Sequence, residues 1–261
     1  MRYISAVHTD IGISKKINQD SVLLKAASTG KGNVILAAVC DGMGGMARGE
    51  VASATFVRGL STWFKKKLPK ILFTCQSETE RRKELSKDCM YLTNTLDTKI
   101  AEYGEKLGDV CGTTAVILLI IENMYYIANV GDSRAYLYNE DVFRQITKDH
   151  TVVQRELDRG TITEEDAKTH PQRSVLLQCV GSGEGVQPDY FHGPCADGDL
   201  FLLCSDGLRN KASKQELARA IYPGSLRNED DLKNAAIACT ELVKKRKEKD
   251  NISAILIKCE R

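Results

Sequence analysis

The sequence predicts an α+β layered domain, because short apolar strands alternate along the chain with long amphipathic helices. Six segments have the composition of strands: residues 33–40, 113–121, 124–130, 135–138, 199–204 and 252–257. These segments are apolar on both faces, as strands are when a second sheet covers one face and helices cover the other. Glu122-Asn123 separates the second segment from the third, and Asn tolerates a positive φ in such a loop. The sequence therefore predicts a hairpin there.

Three more segments, residues 50–68, 79–107 and 229–247, are predicted to be helices. In the first of them, apolar residues recur with a spacing close to 3.6, and the three lysines at its end suit the negative end of the helix dipole. No Pro-, Gly- or Ser-rich linker divides the chain, whose five prolines are scattered. We therefore expect one domain over residues 1–261.

Composition and charge indicate an ordinary globular protein rather than a membrane or nucleic-acid-binding protein. The chain is 42% hydrophobic and 28% charged, and its net charge is only +2. Such a balance provides no bulk field to attract nucleic acid or an anionic membrane. The longest apolar run, residues 115–121, is far shorter than the roughly 20 residues that a spanning helix needs. With no secretory signal at the start, we expect a soluble, cytoplasmic monomer.

The nine cysteines are expected to be reduced, buried thiols. Their number is odd and no two have CxxC spacing, so a zinc knuckle or a thioredoxin-type site is not indicated. Cys40 and Cys204 lie inside predicted strands, where free cysteine behaves as a small hydrophobe.

Five aspartates lie next to the ends of apolar segments. Asp41, Asp132 and Asp206 follow such segments, whereas Asp20 and Asp250 precede them. A single Asp in this position is more often a turn residue than a ligand. If the strand ends converge, however, five carboxylates would crowd together, and like charges at close range need a counter-charge. Oxygen ligands without His or Cys point to hard cations such as Mg²⁺ or Mn²⁺.

A nucleotide-binding loop and a cysteine phosphatase site are the two alternatives to a metal site at these residues. Residues 41–45 (DGMGG) resemble a nucleotide-binding glycine loop, but a P-loop needs Lys and Ser/Thr where Met46-Ala47-Arg48 stand. Asp41 would also repel a pyrophosphate at the helix N-terminus. Cys40 could suggest a cysteine phosphatase, yet such a site needs an Arg-bearing anion loop after the Cys, and here the next residue is an anion.

The chain resembles the PPM, or type 2C, family of metal-dependent protein phosphatases in its compact bacterial form. Six motifs carry the resemblance: Asn18-Gln19-Asp20, Asp41-Gly42-Met43-Gly44-Gly45, Gly112-Thr113-Thr114, Gly131-Asp132-Ser133-Arg134, Ser205-Asp206-Gly207 and Asp250-Asn251. Each motif alone is weak, but all six occur in this order and at compatible spacing. The family's fold is a four-layer α-β-β-α sandwich, two central antiparallel sheets flanked by helices, which agrees with the layered domain predicted above.

The resemblance implies a role for each of these aspartates. Asp41 resembles the carboxylate that bridges two core metal ions, with Asp20 and the carbonyl of Gly42 as ligands of one ion. Asp206 and Asp250 resemble the ligands of the other, so Asp41, Asp206 and Asp250 would be the catalytic carboxylates. Asp132 resembles part of a weaker third site. The implied cofactors are Mg²⁺ or Mn²⁺, and the implied reaction is direct attack on phosphorus by a water that the two ions activate.

Three further features follow from the same resemblance. Residues 146–181 resemble a mobile flap beside the active site, and their polar, helical character favours a surface position. Lys15 stands where family members usually carry an Arg that binds the substrate phosphate, so it keeps the charge but lacks the bidentate fork. Met43 stands where many eukaryotic members carry a His proposed as a general acid. Independently of the resemblance, each of the four histidines is expected to be a surface or hydrogen-bonded residue, and His150 is the only one that we would mutate.

The implied function is hydrolysis of phosphoserine and phosphothreonine on proteins, in opposition to a serine/threonine kinase of the same cell, which would be among its partners. The first alternative is a pseudophosphatase that binds phosphoproteins without cleaving them. The full set of aspartates opposes it, because a binding module needs no complete metal site. The second is a small-molecule phosphatase or a nucleotide-binding protein, and the absent nucleotide motifs oppose the latter.

Overall fold

Two antiparallel sheets pack face to face in the computed structural model, which describes residues 1–44, 48–140 and 142–260. The strands are β1 (Arg2–Asp10), β2 (Ser21–Thr29), β3 (Gly32–Cys40), β4 (Gly42–Gly44), β5 (Cys111–Thr113), β6 (Ala115–Ile121), β7 (Met124–Val130), β8 (Arg134–Asn139), β9 (Val142–Gln145), β10 (Asp189–Pro194), β11 (Leu200–Cys204) and β12 (Ile252–Glu260). The first sheet has the order β1-β12-β11-β8-β9 and the second has the order β10-β7-β6-β3-β2. A short ladder joins β4 to β5.

Helices connect many of the strands. They are α1 (Gly49–Lys66), α2 (Leu68–Thr74), α3 (Glu78–Leu107), α4 (Val152–Asp158), α5 (Glu164–Thr169), α6 (Asp206–Arg209), α7 (Lys214–Ala220) and α8 (Glu229–Lys245). The first three pack on the second sheet, and α6, α7 and α8 pack on the first. The predicted four-layer α-β-β-α sandwich is therefore confirmed. Within the described residues, no helix is both long enough and apolar enough to cross a bilayer.

The core has three parts, one between the sheets and one under each helical layer. Along β3, Val34, Leu36 and Ala38 face the helices, whereas Ile35 and Ala37 face the other sheet. Every one of these side chains is at most 1% exposed. Two-sided burial explains why the strand is apolar at successive positions, and each large side chain buried there contributes about 1.5–3 kcal/mol.

Most predicted elements are confirmed, with differences at particular residues. The segment predicted as one helix over 50–68 is two helices, because Pro69, the second residue of α2, has no N–H with which to continue the hydrogen bonding of α1. The hairpin between β6 and β7 is present, but the positive φ of 57° belongs to Glu122, the first loop residue. Gly45 of the DGMGG motif lies outside the described residues.

Antiparallel pairing brings starts and ends of different strands to one edge. Ser21 at the start of β2 pairs with Cys40 at the end of β3, and Cys204 at the end of β11 pairs with Ala254 near the start of β12. Through β6, the end of β7 at Val130 reaches the same edge. A residue that precedes one strand therefore lies beside a residue that follows its neighbour.

A buried carboxylate on α3 holds the chain that follows the flap segment. Asp97 is 1% exposed, and its Oδ1 accepts from the backbone N–H groups of Gly181 at 2.6 Å and Gly183 at 3.3 Å. Its Oδ2 accepts from the N–H of Gly185 at 3.2 Å. Because these glycines have positive φ, the loop turns its N–H groups inward toward one anion.

We expect Asp97→Asn to lower the free energy of unfolding by about 2–3 kcal/mol, because the amide NH₂ faces N–H donors in place of a charged acceptor. Urea denaturation followed by circular dichroism measures the change. Glu102→Gln on the exposed face of the same helix is the matched control and should change stability by less than about 0.5 kcal/mol. Equal stability of Asp97→Asn and wild type would contradict the anchoring role.

Candidate metal centre

The five aspartates singled out in the sequence are gathered at the edge where the strand ends converge. Asp20 and Asp41 flank the paired ends of β2 and β3, and Asp206 and Asp250 flank those of β11 and β12. Asp132 follows β7. Each sheet therefore contributes carboxylates, and the cluster lies at the seam between the sheets.

Asp41 is the electrostatic centre of the cluster. Burial raises the pKa of its carboxyl well above the usual range, and the charges of Asp20, Asp206, Asp132 and Asp250 raise it further. Burial likewise raises the pKa of Asp20 to about 6, against the hydrogen bonds that it accepts. These raised pKa values indicate that the ionised carboxylates destabilise one another here and that a bound cation would stabilise them.

The threonine motif fixes the backbone of Asp41. The N–H of Asp41 donates to Thr114 Oγ1 at 3.0 Å, and the carbonyl of Asp41 accepts from the N–H of Thr114 at 2.9 Å. Thr113 Oγ1 donates to the same carbonyl at 3.1 Å. Thr113 and Thr114 are fully buried, so this support is shielded from water. The Gly112-Thr113-Thr114 motif therefore positions the central carboxylate.

A serine joins the two sheets behind the cluster. Ser205 Oγ donates to Asp20 Oδ2 at 2.8 Å and accepts from the N–H of Ser253 at 3.0 Å. The other oxygen of Asp20, Oδ1, is buried without a hydrogen-bond partner, and Asp206 Oδ1 is in the same state. Buried carboxylate oxygens without donors are rare in native proteins, and a bound cation would satisfy them.

The loop between β1 and β2 closes one side of the site. Asn251 holds this loop, because its Nδ2 donates to the carbonyls of Ile11 at 2.9 Å and Ile17 at 3.2 Å. Lys15 on this loop places its Nζ 2.8 Å from Asp250 Oδ1. Asp41 and Asp206 also lie within electrostatic reach of the Lys15 ammonium. Lys15 thus stands at the rim of the cluster, where an incoming anion would meet it.

Asp132 is held differently from the other four aspartates. Arg209 Nη2 donates to Asp132 Oδ2 at 2.8 Å and to the Asp132 carbonyl at 2.9 Å. Burial raises the pKa of Asp132 to about 6, although Arg209 lowers it. Asp149 lies behind this pair and forms a bidentate ion pair with Arg134 at 2.8 and 2.7 Å. Sequence reasoning missed the roles of Arg209 and Asp149, and Arg209 lies 77 positions from its partner Asp132.

Glycine is required at two positions of the site by close backbone approach. A Cβ on Gly42 would collide with the carbonyls of Gly49 and Gln19, and one on Gly207 would collide with the carbonyl of Asn251. The first glycine of the DGMGG motif and the glycine of the SDG motif are therefore needed for packing, next to the aspartates Asp41 and Asp206.

The donor set fits hard divalent ions that keep part of their water. Within residues 1–44, 48–140 and 142–260, no three His, Cys, Asp or Glu side chains converge closely enough to enclose an ion alone. Mg²⁺ is usually held by one or two carboxylates and completes its shell with waters. Buried carboxylate oxygens without partners, gathered around Asp41, suit that mode of binding.

The flap segment is partly what the sequence predicts. Helices α4 and α5 contain no buried residue, as expected of a surface segment. Thr147, Asp149 and His150 at its beginning are buried, however, and attach it to the sheet. His150 Nδ1 accepts from the N–H of Gly131 at 3.3 Å, so its Nε2 carries the proton that faces Asp189 at 3.1 Å. These contacts give His150 a structural role.

Comparison with known proteins is consistent with this geometry. The sequence profile of the family described as Protein phosphatase 2C matches residues 13–256. The serine/threonine phosphatase stp of Listeria monocytogenes is 37% identical over 212 residues, which cover 80% of this chain and 79% of that protein.

Two solved structures are similar over nearly the whole chain. The serine/threonine phosphatase Stp1 from Staphylococcus aureus has a TM-score of 0.83 at 29% identity and covers 100% of this chain and 96% of its own. The catalytic domain of the serine/threonine protein phosphatase PstP, in complex with two manganese ions, has a TM-score of 0.79 at 27% identity and covers 99% of both chains.

We expect Mn²⁺ to raise the melting temperature by about 5–10 °C near pH 7.5, and by much less near pH 5. The folded pKa values of Asp20, Asp41 and Asp132 lie above their unfolded values. Because of Asp20 and Asp132, the stability of metal-free protein falls as the pH rises from about 4 through about 6, and the raised pKa of Asp41 acts in the same direction. As these carboxyl groups lose their protons, protons stop competing with the metal ions. Thermal unfolding with Mn²⁺ or EDTA at several pH values measures both effects.

A thermal shift that is the same at both pH values would contradict ion binding by these carboxylates. Asp206→Asn provides the comparison variant, because one candidate ligand loses its charge while the volume of the side chain is kept. Its thermal shift near pH 7.5 should be much smaller than that of wild type.

Proposed function

This chain belongs to the protein phosphatase 2C family and is a metal-dependent serine/threonine protein phosphatase, and we propose that the carboxylate cluster at the sheet seam is its catalytic centre. The observation that carries the proposal is the convergence of Asp20, Asp41, Asp206 and Asp250 from both sheets. The cofactors are Mg²⁺ or Mn²⁺, and the PstP structure with two manganese ions supports two core ions.

The ligands divide between the two sheets in this proposal. Asp20 and the Gly42 carbonyl would hold one ion beside the paired ends of β2 and β3. Asp206 and Asp250 would hold the other beside β11 and β12, with Asp41 shared between the ions. The unpaired buried oxygens Asp20 Oδ1 and Asp206 Oδ1 support one ligand on each side. The central position of Asp41 among four carboxylates supports its shared role.

When bound, two divalent ions lower the pKa of a water that they share and offset negative charge on the phosphoryl oxygens. The residues of the chain orient this chemistry. Ser205 and Thr114 fix Asp20 and Asp41, so the carboxylates need no reorganisation during the reaction. Lys15 offers an ammonium beside Asp250, where it can bind a phosphoryl oxygen of the substrate.

Covalent catalysis by cysteine has no support at this centre. Cys40 precedes Asp41, but burial and the charges of Asp20 and Asp41 raise the pKa of its thiol far above neutrality. A protonated, fully buried thiol is a poor nucleophile. Met43 in β4 carries no exchangeable proton, so we assign protonation of the leaving alcohol to water rather than to a side chain.

The substrates are phosphoproteins, and we propose that a serine/threonine kinase of the same cell is among them. We also propose that the chain acts as a monomer in the cytoplasm. All nine cysteines are free, and seven of them are buried, which suits a reducing compartment. The competing proposal, a pseudophosphatase that only binds phosphoproteins, predicts binding without turnover.

We expect Asp41→Asn to lower kcat/KM by at least about 100-fold toward both p-nitrophenyl phosphate and a phosphothreonine peptide, because the variant loses the shared metal ligand. Wild type should be active with Mn²⁺ and inactive with EDTA. Asp230→Asn, an exposed carboxylate at the start of α8, is the matched control and should keep wild-type activity. Turnover that persists in EDTA, or in Asp41→Asn, would reject the mechanism.

A second variant tests the role of Lys15 in binding phosphate. Lys15→Arg should lower KM for the phosphopeptide about 3–10-fold, because a guanidinium binds phosphate through two parallel hydrogen bonds. Lys15→Ala should raise KM, and inhibition by inorganic phosphate should follow the same order. An unchanged KM and an unchanged inhibition constant in Lys15→Arg would show that the side chain does not contact phosphate.

A further inference from the structure

A buried arginine already occupies one side of the carboxylate cluster. Arg209 lies at the end of α6, three residues after Asp206. Its Nη2 is 2.8 Å from Asp132 Oδ2 and 2.9 Å from the carbonyl oxygen of Asp132. The two side chains are only 13% and 11% exposed. The same guanidinium nitrogen therefore donates to two oxygens of Asp132, the side-chain Oδ2 and the backbone carbonyl.

The surroundings of Arg209 keep it at this position. After Asp132, the nearest carboxylate to the Arg209 guanidinium is that of Asp149, at 3.6 Å. Asp149 is already paired through both oxygens with Arg134, at 2.8 and 2.7 Å, and it also accepts from Gln145 at 3.3 Å. Two guanidinium groups and two carboxylates therefore form a neutral, largely buried set in which Arg209 has Asp132 as its main partner.

Asp132 differs from Asp20 and Asp206 in its hydrogen-bond partners. Asp20 and Asp206 each keep a buried oxygen that no donor satisfies, and these oxygens can accept a cation. Asp132 has given its Oδ2 and its carbonyl to Arg209. A divalent ion bound to this carboxylate would lie next to a permanent positive charge, because the guanidinium on Oδ2 and on the carbonyl cannot be deprotonated in a protein.

We propose that Arg209 is a fixed cation of the metal centre, which stands at Asp132 in place of the weaker third ion that the resemblance to the family implies there. The inference rests on the two-ion centre proposed above. Under it, this phosphatase binds two ions and has no third site, since binding one at Asp132 would require displacing a buried guanidinium from its partner.

Counting bound Mn²⁺ tests the inference directly. Each protein is dialysed to equilibrium against millimolar Mn²⁺, and the bound metal is measured by elemental analysis against protein concentration. We expect about two ions per chain for wild type and about three for Arg209→Ala, because removal of the guanidinium frees the Asp132 oxygens. Arg209→Lys keeps the positive charge and should stay at about two.

Two further variants locate the extra ion. The double variant Arg209→Ala/Asp132→Asn should return to about two ions, because the carboxylate that receives the third ion is gone. Asp132→Asn alone should bind the same number as wild type, because Arg209 already uses that carboxylate. Circular dichroism and thermal unfolding check that each variant is folded.

The outcomes separate this inference from the proposed function. A wild type that binds about three ions and loses one in Asp132→Asn overturns the inference and leaves the phosphatase centre intact. A count that stays at two in folded Arg209→Ala also overturns it. If Arg209→Ala does not fold, the comparison of wild type with Asp132→Asn decides. A wild type that binds no ion contradicts the proposed function itself, and the inference with it.

Discussion

The repulsion among carboxylates at the seam between the sheets is the constraint on which the site depends. Burial and mutual charge raise the pKa of Asp41 and Asp20, so the folded chain holds negative charge that water would otherwise stabilise. The carboxylates stay close together because the surrounding structure holds them in place. Paired strand ends, the buried threonines beside Asp41 and the serine behind Asp20 leave the carboxylates little freedom to separate. A divalent cation would stabilise such a cluster, because the carboxylates cannot separate to relieve their repulsion.

The sequence predicts the central part of the fold well because of two-sided burial. Strands β3, β6, β7, β11 and β12 are apolar at successive positions, which few other structures require. Strand β1 lies at the edge of its sheet and strand β10 at the edge of the other, and both carry half-exposed polar residues. Their patterns do not differ enough from those of loops to be recognised. The short helices α4 to α7 were missed as separate elements, because four to seven residues give no clear helical period.

The same reasoning explains which parts of the site could be predicted. Each candidate ligand adjoins an apolar segment, so its place at a strand end is visible in the sequence, although its role as a ligand stays a prediction. The support around the ligands is not visible, because it depends on contacts between distant segments. Arg209 contacts Asp132 across 77 positions, and Ser205 contacts Asp20 across 185. In the sequence, Arg209 is indistinguishable from an arginine exposed to solvent.

The division of the carboxylates between the two sheets has a mechanical consequence. Asp20 and Asp41 adjoin strands of the sheet that contains β3, whereas Asp206 and Asp250 adjoin strands of the sheet that contains β12. Sliding one layer over the other by a single residue would separate the pairs by about 3.3 Å, more than a metal–oxygen bond allows. An ion bound by carboxylates of both sheets would therefore oppose sliding of one sheet over the other. A force that slides the sheets would first release the ion.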